Sequence, residues 1–139
     1  MSHEPEALMR TWFEEVWNQK REDTIDRLLA PDAVAHGLPG GPMRGPASFR
    51  PIFYAFQGGL PDIHIEIVRV IAQDEMVSVH CRVTGTHTGD ALGFPATGKP
   101  VDFEGITIAR IANGQVQEAW NVFDFLTMYQ QLGVVTLPT

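Results

Sequence analysis

The sequence predicts an α+β domain in which helices pack on one face of a curved, mostly antiparallel sheet. Apolar residues recur at helical spacing in the first part of the chain, and from Ile63 onward they recur at every second residue. Helices followed by a run of long strands are typical of α+β architecture. At 139 residues, the chain is long enough for one hydrophobic core, so we expect a single domain spanning residues 1–139.

Three helices are predicted before the long strands. The first begins near Pro5, because proline suits the first helical position, and its apolar residues form one broad stripe. The second has Asp23 as its N-cap and ends at Pro31. The third follows a loop rich in glycine and proline at 37–45, and its apolar residues are Phe49, Ile52, Phe53 and Phe56.

Strands dominate the second half of the chain. A short strand is predicted at 33–36, and the Asn113–Gly114 pair predicts a tight hairpin turn between the last two long strands. A short amphipathic helix that ends at Gly133 closes the chain. Period-two alternation places the long strands at 63–68, 77–84, 101–112 and 115–124.

Charge and hydropathy exclude several classes of function. The net charge of −7, with scattered basic residues, argues against nucleic acid or an anionic membrane surface as a partner. No apolar run approaches the ~20 residues of a membrane span, and the N-terminus lacks the apolar segment of a signal peptide. The lone Cys81 lies among apolar strand residues, which predicts a reduced, buried thiol. We therefore expect a cytoplasmic protein.

Asp124 stands at the end of an alternating apolar stripe. Val116, Trp120, Val122 and Asp124 are of equal parity, and residues of equal parity share a face of a strand. If that face is inward, Asp124 is a base in an apolar pocket, where burial would raise its pKa toward the working pH. The alternative is that Asp124 caps the helix that follows.

Four stretches of this sequence resemble a known family. They are Pro31–His36, Gly85–Gly89, Pro95–Lys99 and Gly114–Gly133, the last with a turn glycine, a Glu-x-Trp strand, an Asp four residues later and a terminal Gln-Leu-Gly. The chain resembles the nuclear-transport-factor-two-like cone fold, and within it the SnoaL-like polyketide cyclases.

The resemblance implies a cone-shaped α+β barrel that encloses a pocket. It also implies an intramolecular aldol condensation of a hydrophobic, carbonyl-bearing, polyketide-like substrate without metal or organic cofactor. By motif position, Asp124 corresponds to the general acid/base of the family, and His36 and His87 to supporting polar residues. A homodimer is common in this family and is expected here.

The two histidines have alternatives. His87 shares parity with the apolar residues of its strand, which predicts an inward position, unless a bulge at Gly85 reverses it and exposes the ring. His36 shares parity with Val34 and either faces inward or belongs to the loop that follows. No histidines stand at i,i+4 spacing and Cys81 has no second cysteine, so no metal site is predicted.

The aromatic residues are core residues by default, but some of them should line the pocket. Trp120 is the first choice because it shares parity with Asp124, and Phe53 and Phe56 follow because the third helix would lie over the pocket. The outward face is predicted to carry His80 and Arg82.

Other functions stay open on this sequence. The segment 93–99 resembles a phosphate-binding loop, but Pro100 replaces the required Ser or Thr and no helix follows. The same fold hosts isomerases, dehydratases and epoxide hydrolases, and also non-catalytic modules that bind small molecules or dimerise. An enzyme requires Asp124 beside an open cavity, whereas a scaffold would fill that cavity with aromatic side chains.

Overall fold

A computed structural model describes residues 3–138, in which the chain forms four α-helices and six strands. The helices are α1 (His3–Trp12), α2 (Glu22–Leu28), α3 (Gly45–Gly59) and α4 (Phe125–Gln131), and a π-helical segment, Phe13–Asn18, continues α1. The strands are β1 (Leu29–His36), β2 (Met43–Arg44), β3 (His64–Gln73), β4 (Met76–Thr86), β5 (Pro100–Ala112) and β6 (Gln115–Phe123).

The strands form one sheet in the order β2-β1-β6-β5-β4-β3. Every neighbouring pair is antiparallel except β1 and β6, which run parallel. The sheet stays open, with β2 and β3 at its edges. The predicted α+β class with a mostly antiparallel sheet is therefore confirmed.

The core lies between the helices and one face of the sheet. On β5 the odd-numbered residues from Val101 to Ile111 are buried, and the even-numbered residues from Asp102 to Ile108 are exposed. Across the core, α1 meets α3 through aromatic rings: Trp12 lies 5.3 Å from Phe49 between ring centroids, in an edge-on arrangement. Edge-on packing is the favoured geometry of aromatic pairs and adds to the stabilisation from burial.

Two predicted boundaries near α2 are wrong. Arg21, not Asp23, is the N-cap residue, and Asp23 lies in the first turn, where its carboxylate accepts a hydrogen bond of 3.1 Å from Arg21. The helix ends at Leu28 and Pro31 belongs to β1. Proline is tolerated there because an irregularity interrupts the pairing of β1 with β6 between Leu29 and Val34, so no ladder hydrogen bond is lost.

A bulge in β6 decides which residues face the core. Arg110 pairs with Glu118 and the next residue, Ile111, pairs with Val116, so Gln117 is an extra residue without a partner on β5. One extra residue reverses the alternation of every side chain beyond it. Val116 therefore faces the core before the bulge, and Ala119, Asn121 and Phe123 face it after the bulge.

Candidate active site

A cavity of ≈ 90 Å³ lies between the helices and the inward face of the sheet. The walls come from α1, the π-helical segment, α3, the start of α4 and the inward residues of β1, β3, β4, β5 and β6. Among the residues that the structure describes, no carboxylate or imidazole lines this cavity. The aromatic residues of the wall are Trp12, Phe13, Trp17, Phe49, Phe56, Phe103, Phe123 and Phe125.

Apart from two tryptophan indoles, the polar side chains of the wall are those of Thr107 and Asn121. Thr107 Oγ1 donates a hydrogen bond of 2.8 Å to Asn121 Oδ1, and Asn121 Nδ2 donates one of 2.9 Å to the main-chain oxygen of His36. The two bonds fix the amide orientation, because a reversed amide would bring two acceptors together at His36. The hydrogen-bonded side chains of Thr107 and Asn121 are thus held in fixed positions in a wall that is otherwise mostly apolar.

Trp120 does not line the cavity, so its predicted position is wrong. The bulge at Gln117 turns Trp120 to the outer face of the sheet, where 37% of its surface is exposed. Its ring stacks on the ring of His36, with centroids 5.7 Å apart.

Asp124 is exposed and caps α4. Its carboxylate accepts a hydrogen bond of 3.0 Å from the Thr127 N–H and one of 2.6 Å from the Thr127 hydroxyl. These donors, the hydroxyl first, lower the pKa of Asp124 below its ordinary value. The inward position and the raised pKa predicted for Asp124 are therefore wrong, and the capping alternative describes its geometry.

Asp124 is nevertheless adjacent in sequence to two residues of the cavity wall. Its two neighbours, Phe123 and Phe125, both line the cavity, and their rings stack with centroids 6.2 Å apart. The main-chain N–H of Asp124 donates to the carbonyl of Glu104 at 2.9 Å, which holds the end of β6 against β5. The carboxylate itself does not line the cavity and is turned toward the helix.

His36 lies on the outer face, not in the pocket. Its Nε2 is 2.7 Å from Glu118 Oε2, and its ring covers part of Trp120. The inward alternative for this side chain is wrong, because His36 ends β1 on the face opposite Ala35, which is buried and lines the cavity. The main-chain carbonyl of His36, not its imidazole, reaches the site.

His87 is fully buried, as its parity predicts, but it is not part of the cavity wall. Nδ1 accepts a hydrogen bond of 3.0 Å from the Thr97 N–H, and the ring packs against Phe94 with centroids 4.8 Å apart. Nε2 is buried without a partner among the described residues. His87 therefore anchors the loop between β4 and β5.

The two phenylalanines of α3 differ in position. Phe56 lines the cavity, as predicted. Phe53 is buried behind the wall, where its ring packs 6.0 Å from that of Trp17, so its predicted place in the lining is wrong. The predicted outward positions of His80 and Arg82 are correct, and each pairs with a carboxylate on β5, Glu104 and Asp102.

The sequence reasoning missed Thr107 and Asn121. One signal for Thr107 was available, since it has the parity of Val101, Phe103, Ala109 and Ile111 on β5. That signal was obscured because Ile106 is also apolar, although it lies on the outer face. For Asn121 no comparable signal exists, because its inward position depends on the bulge.

Comparison with known proteins decides the family. The family description "SnoaL-like polyketide cyclase" matches residues 7–132. The chain belongs to the SnoaL-like polyketide cyclase family. The family and the enzyme class predicted from the sequence are thereby confirmed.

Characterised relatives of this SnoaL-like chain are methyl ester cyclases. Aklanonic acid methyl ester cyclase DnrD of Streptomyces peucetius is 28% identical over 134 residues, which cover 91% of this chain and 88% of the relative. Nogalonic acid methyl ester cyclase of Streptomyces nogalater is 25% identical over 122 residues, covering 84% of this chain and 89% of that protein.

Solved structures share the architecture. IdmH of Streptomyces antibioticus, a proposed polyketide cyclase, superposes with a TM-score of 0.81 at 29% identity, covering 94% of this chain and 99% of that one. A SnoaL-like protein of Jannaschia sp. CCS1 superposes with a TM-score of 0.87 at 21% identity, covering 97% and 95%, and this likeness concerns the fold alone. The cone fold implied by the family resemblance is confirmed.

Two features are absent from residues 3–138. No helix in this part of the chain is long and apolar enough to cross a membrane. No group of three or more His, Cys, Asp or Glu side chains is arranged to hold a metal ion in the same residues.

Proposed function

We propose that this SnoaL-like protein closes a ring in a hydrophobic, carbonyl-bearing polyketide methyl ester by an intramolecular aldol reaction without a cofactor. A base removes a proton from a carbon beside a carbonyl group, the resulting enolate carbon forms a bond to a second carbonyl carbon, and the alkoxide takes up a proton. The observation that carries the proposal is the aromatic cavity with a hydrogen-bonded Thr107–Asn121 pair in its wall, in a family whose characterised relatives are methyl ester cyclases.

The size of the cavity limits what enters it in this conformation. At ≈ 90 Å³ it is smaller than ligand pockets of about 300–1,000 Å³, and an engineered cavity of roughly 150 Å³ holds benzene. We infer that the reacting end of the substrate enters and displaces wall side chains, while the rest lies at the rim near Phe123 and Phe125.

For Asp124 we propose the role of base. Its lowered pKa keeps the carboxylate ionised at neutral pH, which a base requires, but also makes it a weak base. A carbon flanked by two carbonyl groups is acidic enough for such a base. To reach the substrate, the carboxylate would have to turn away from Thr127 toward the cavity that its chain neighbours Phe123 and Phe125 line.

The role of Asp124 is tested by deuterium exchange, followed by NMR, at the acidic C–H of aromatic β-keto methyl esters. Asp124→Asn should lower the exchange rate about 10²–10⁴-fold, the usual contribution of a general base, while the amide still caps α4. Asp32→Asn is the matched control, because Asp32 is also exposed and lies on β1. An Asp124→Asn protein that exchanges at the wild-type rate would rule out Asp124 as the base.

A second candidate function is ligand binding without turnover. It is favoured by the position of the Asp124 carboxylate, whose hydrogen bonds among the described residues all come from Thr127, and by the lack of ionisable side chains in the described cavity wall. Binding of the esters by wild type with no exchange above the buffer rate would support this function over the cyclase. The other enzyme classes on this fold, isomerase, dehydratase and epoxide hydrolase, have no comparable observation in their favour.

We propose a homodimer that forms through the outer face of the sheet. Ile106, Ile108, Trp120 and Val122 are exposed there, and the strand register places Ile106 beside Val122 and Ile108 beside Trp120. The Arg82–Asp102 ion pair and the His80–Glu104 hydrogen bond flank this apolar patch on β4 and β5. A two-fold axis through such a patch would bring each apolar side chain onto an apolar surface of the second copy.

The dimer is tested by the molar mass from light scattering coupled to gel filtration. Val122→Arg, at a side chain that is 76% exposed, should convert a dimer into a monomer without loss of helix or strand content. Ile71→Arg is the control, because Ile71 is 69% exposed but lies on β3. A wild-type protein that is monomeric at micromolar concentration would reject the proposal.

We also propose a cytoplasmic location, because Cys81 is a free thiol and disulfides are typical of exported proteins. The thiol is buried on β4, and burial raises its pKa to about 12, so the thiolate that oxidants attack is not formed. Fractionation of the native cells tests this location directly.

A further inference from the structure

We propose that Asn121, held in place by Thr107, is the hydrogen-bond donor that binds a substrate carbonyl oxygen inside the cavity. This inference rests on the proposed function for the identity of the ligand as a carbonyl compound. Both residues belong to the wall of the cavity.

The Asn121 amide has one more N–H bond than its hydrogen bond to His36 uses. An asparagine carries two N–H bonds on Nδ2, and one of them is used for the carbonyl of His36. Within residues 3–138, the structure assigns the second N–H no acceptor, although Asn121 lines the cavity. An oxygen atom of a ligand is the partner that would complete this donor, because a polar group enclosed by apolar walls costs free energy when it is unpaired.

The Asn121 amide is held in a fixed position from both ends. Oδ1 is bound by the Thr107 hydroxyl at 2.8 Å, and Thr107 itself is buried on β5. At the other end, β1 approaches β6 very closely, since a Cβ on Gly37 would stand 1.8 Å from the main-chain oxygen of Asn121. The amide is therefore fixed on two strands before a ligand arrives, which is how preorganised donors lower the barrier to charge development.

A donor of this kind can stabilise the negative charge that forms on a carbonyl oxygen during proton abstraction. When a proton leaves the carbon beside a carbonyl group, negative charge moves to the carbonyl oxygen. A neutral amide donor stabilises that oxygen in an apolar site, where hydrogen bonds to charged groups are stronger than in water. Asn121 has no basicity of its own, so it binds and polarises the carbonyl while the proton goes to a separate base.

The proposal is tested by the ¹³C resonance of the ketone carbon in methyl benzoylacetate labelled at that carbon. On binding to wild type the resonance should move downfield, because a donated hydrogen bond withdraws electron density from the carbonyl. The downfield shift should be lost in Asn121→Ala, and exchange of the acidic C–H should fall about 10²–10³-fold, as for other single oxyanion donors. An unshifted resonance in wild type, or an equal shift in Asn121→Ala, would overturn the proposal.

Controls separate this role from a structural one. Gln117→Ala removes another amide of β6 that donates to a main-chain carbonyl, Ala112 O at 2.9 Å, but Gln117 does not line the cavity. It should leave the carbonyl resonance of the bound ester unchanged. If Asn121→Ala fails to fold, two substitutions at Thr107 test the proposal. Thr107→Val should weaken the downfield shift of the carbonyl resonance, whereas Thr107→Ser should keep it. Equal shifts in those two proteins would overturn the positioning role.

The carbonyl shift and the exchange rate fail independently. The shift reports the hydrogen bond in the bound state and requires no turnover, whereas exchange requires the base. Wild type that shifts the carbonyl without exchanging the C–H would support Asn121 as donor and reject the cyclase proposal. If wild type exchanges the C–H at a rate that does not depend on Asn121, the result would support the cyclase proposal and reject Asn121 as the donor.

Discussion

The Asp124 carboxylate caps α4, and the proposed role as a base would have to compete with that cap. The Thr127 hydroxyl and N–H satisfy its oxygens and satisfy the first turn of α4 at the same time. The same donors lower its pKa, so the carboxylate is ionised at neutral pH but binds a proton weakly. Catalysis by Asp124 therefore requires that both bonds to Thr127 are exchanged for a contact with the substrate.

The pKa of Asp124 should depend on the Thr127 hydroxyl. Thr127→Val removes the donor with the largest effect, so the pKa should rise toward the ordinary 3.8, whereas Thr127→Ser should keep it low. ¹³C NMR of the aspartate side-chain carboxyl carbons across an acid titration measures this. Equal pKa values in wild type and Thr127→Val would contradict the assignment.

The same shift predicts the direction of the pH dependence of stability. Because the folded pKa is below the unfolded value, the contribution of Asp124 to folding is present above the unfolded pKa and is lost as the pH falls through the folded one. Wild type should therefore lose more of its stability on acidification than Thr127→Val does. Denaturant titrations between about pH 5 and about pH 2 compare the two proteins.

At the scale of one element, the bulge in β6 determines the composition of the site. Gln117 is the extra residue, and beyond it Ala119, Asn121 and Phe123 face the cavity. Without the change in parity, Trp120 and Val122 would fill the interior and the amide would face solvent. Bulges are common next to active sites for this reason, since they redirect a side chain without changing the strand order.

Deletion of Gln117 should be tolerated, although it shortens a central strand by one residue. Val116 and Glu118 already pair with adjacent residues of β5, Ile111 and Arg110, so the deletion leaves a regular ladder with the same inward side chains. Far-UV circular dichroism should be retained, and the thermal transition should stay cooperative.

Deletion of Ala119 is the matched control for this experiment. It removes a residue that is paired with Ala109, so if the rest of the register is kept, Gln117 pairs with Arg110 and the Glu118 carboxylate takes the inward position opposite Ala109. That protein should lose the cooperative transition. Two deletions with the same effect on melting would show that the extra position does not absorb the change.

At the scale of the whole molecule, the cavity and the core are parts of the same space. The aromatic rings that line the cavity also join α1 to α3, as Trp12 does with Phe49. Enlarging the space for a ligand therefore removes contacts that hold the helices on the sheet.

Phe49→Ala should lower the free energy of unfolding by about 3–5 kcal/mol and should be partly rescued by a small aromatic ligand. The substitution removes a ring from the cavity wall, so the enlarged space should bind benzene and raise the melting temperature. Thermal unfolding with and without benzene measures the rescue.

Phe53→Ala is the comparison for this substitution. Phe53 is a buried phenylalanine of the same helix, but it packs behind Trp17 and does not line the cavity. Its loss should cost a similar free energy with less rescue by benzene. A larger rescue for Phe53→Ala than for Phe49→Ala would contradict the position of the cavity wall.

The sequence by itself determined the order and type of the α-helices and the long strands, and the family, but not β2, which lies in the predicted loop at 37–45. Periodicity is a local property, so the alternation on β4 and the apolar stripe of α1 predict strand and helix before any tertiary contact is known. The Asn113–Gly114 turn and the helix ending before Gly133 follow from residues that tolerate positive φ, and both glycines have it. The local motif at Asp124 led to two interpretations, a base or a helix cap, and the structure shows the cap.

Only the tertiary structure decided which side chains share the cavity. The bulge at Gln117 arises from pairing with β5, so nothing within β6 indicates that Trp120 faces outward and Asn121 inward. The close approach of β1 to β6, at the main chain of His36, is likewise a contact between segments far apart in the chain. Secondary structure follows from local residue patterns, but the composition of this site depends on the register between strands, which is set by packing of the whole sheet.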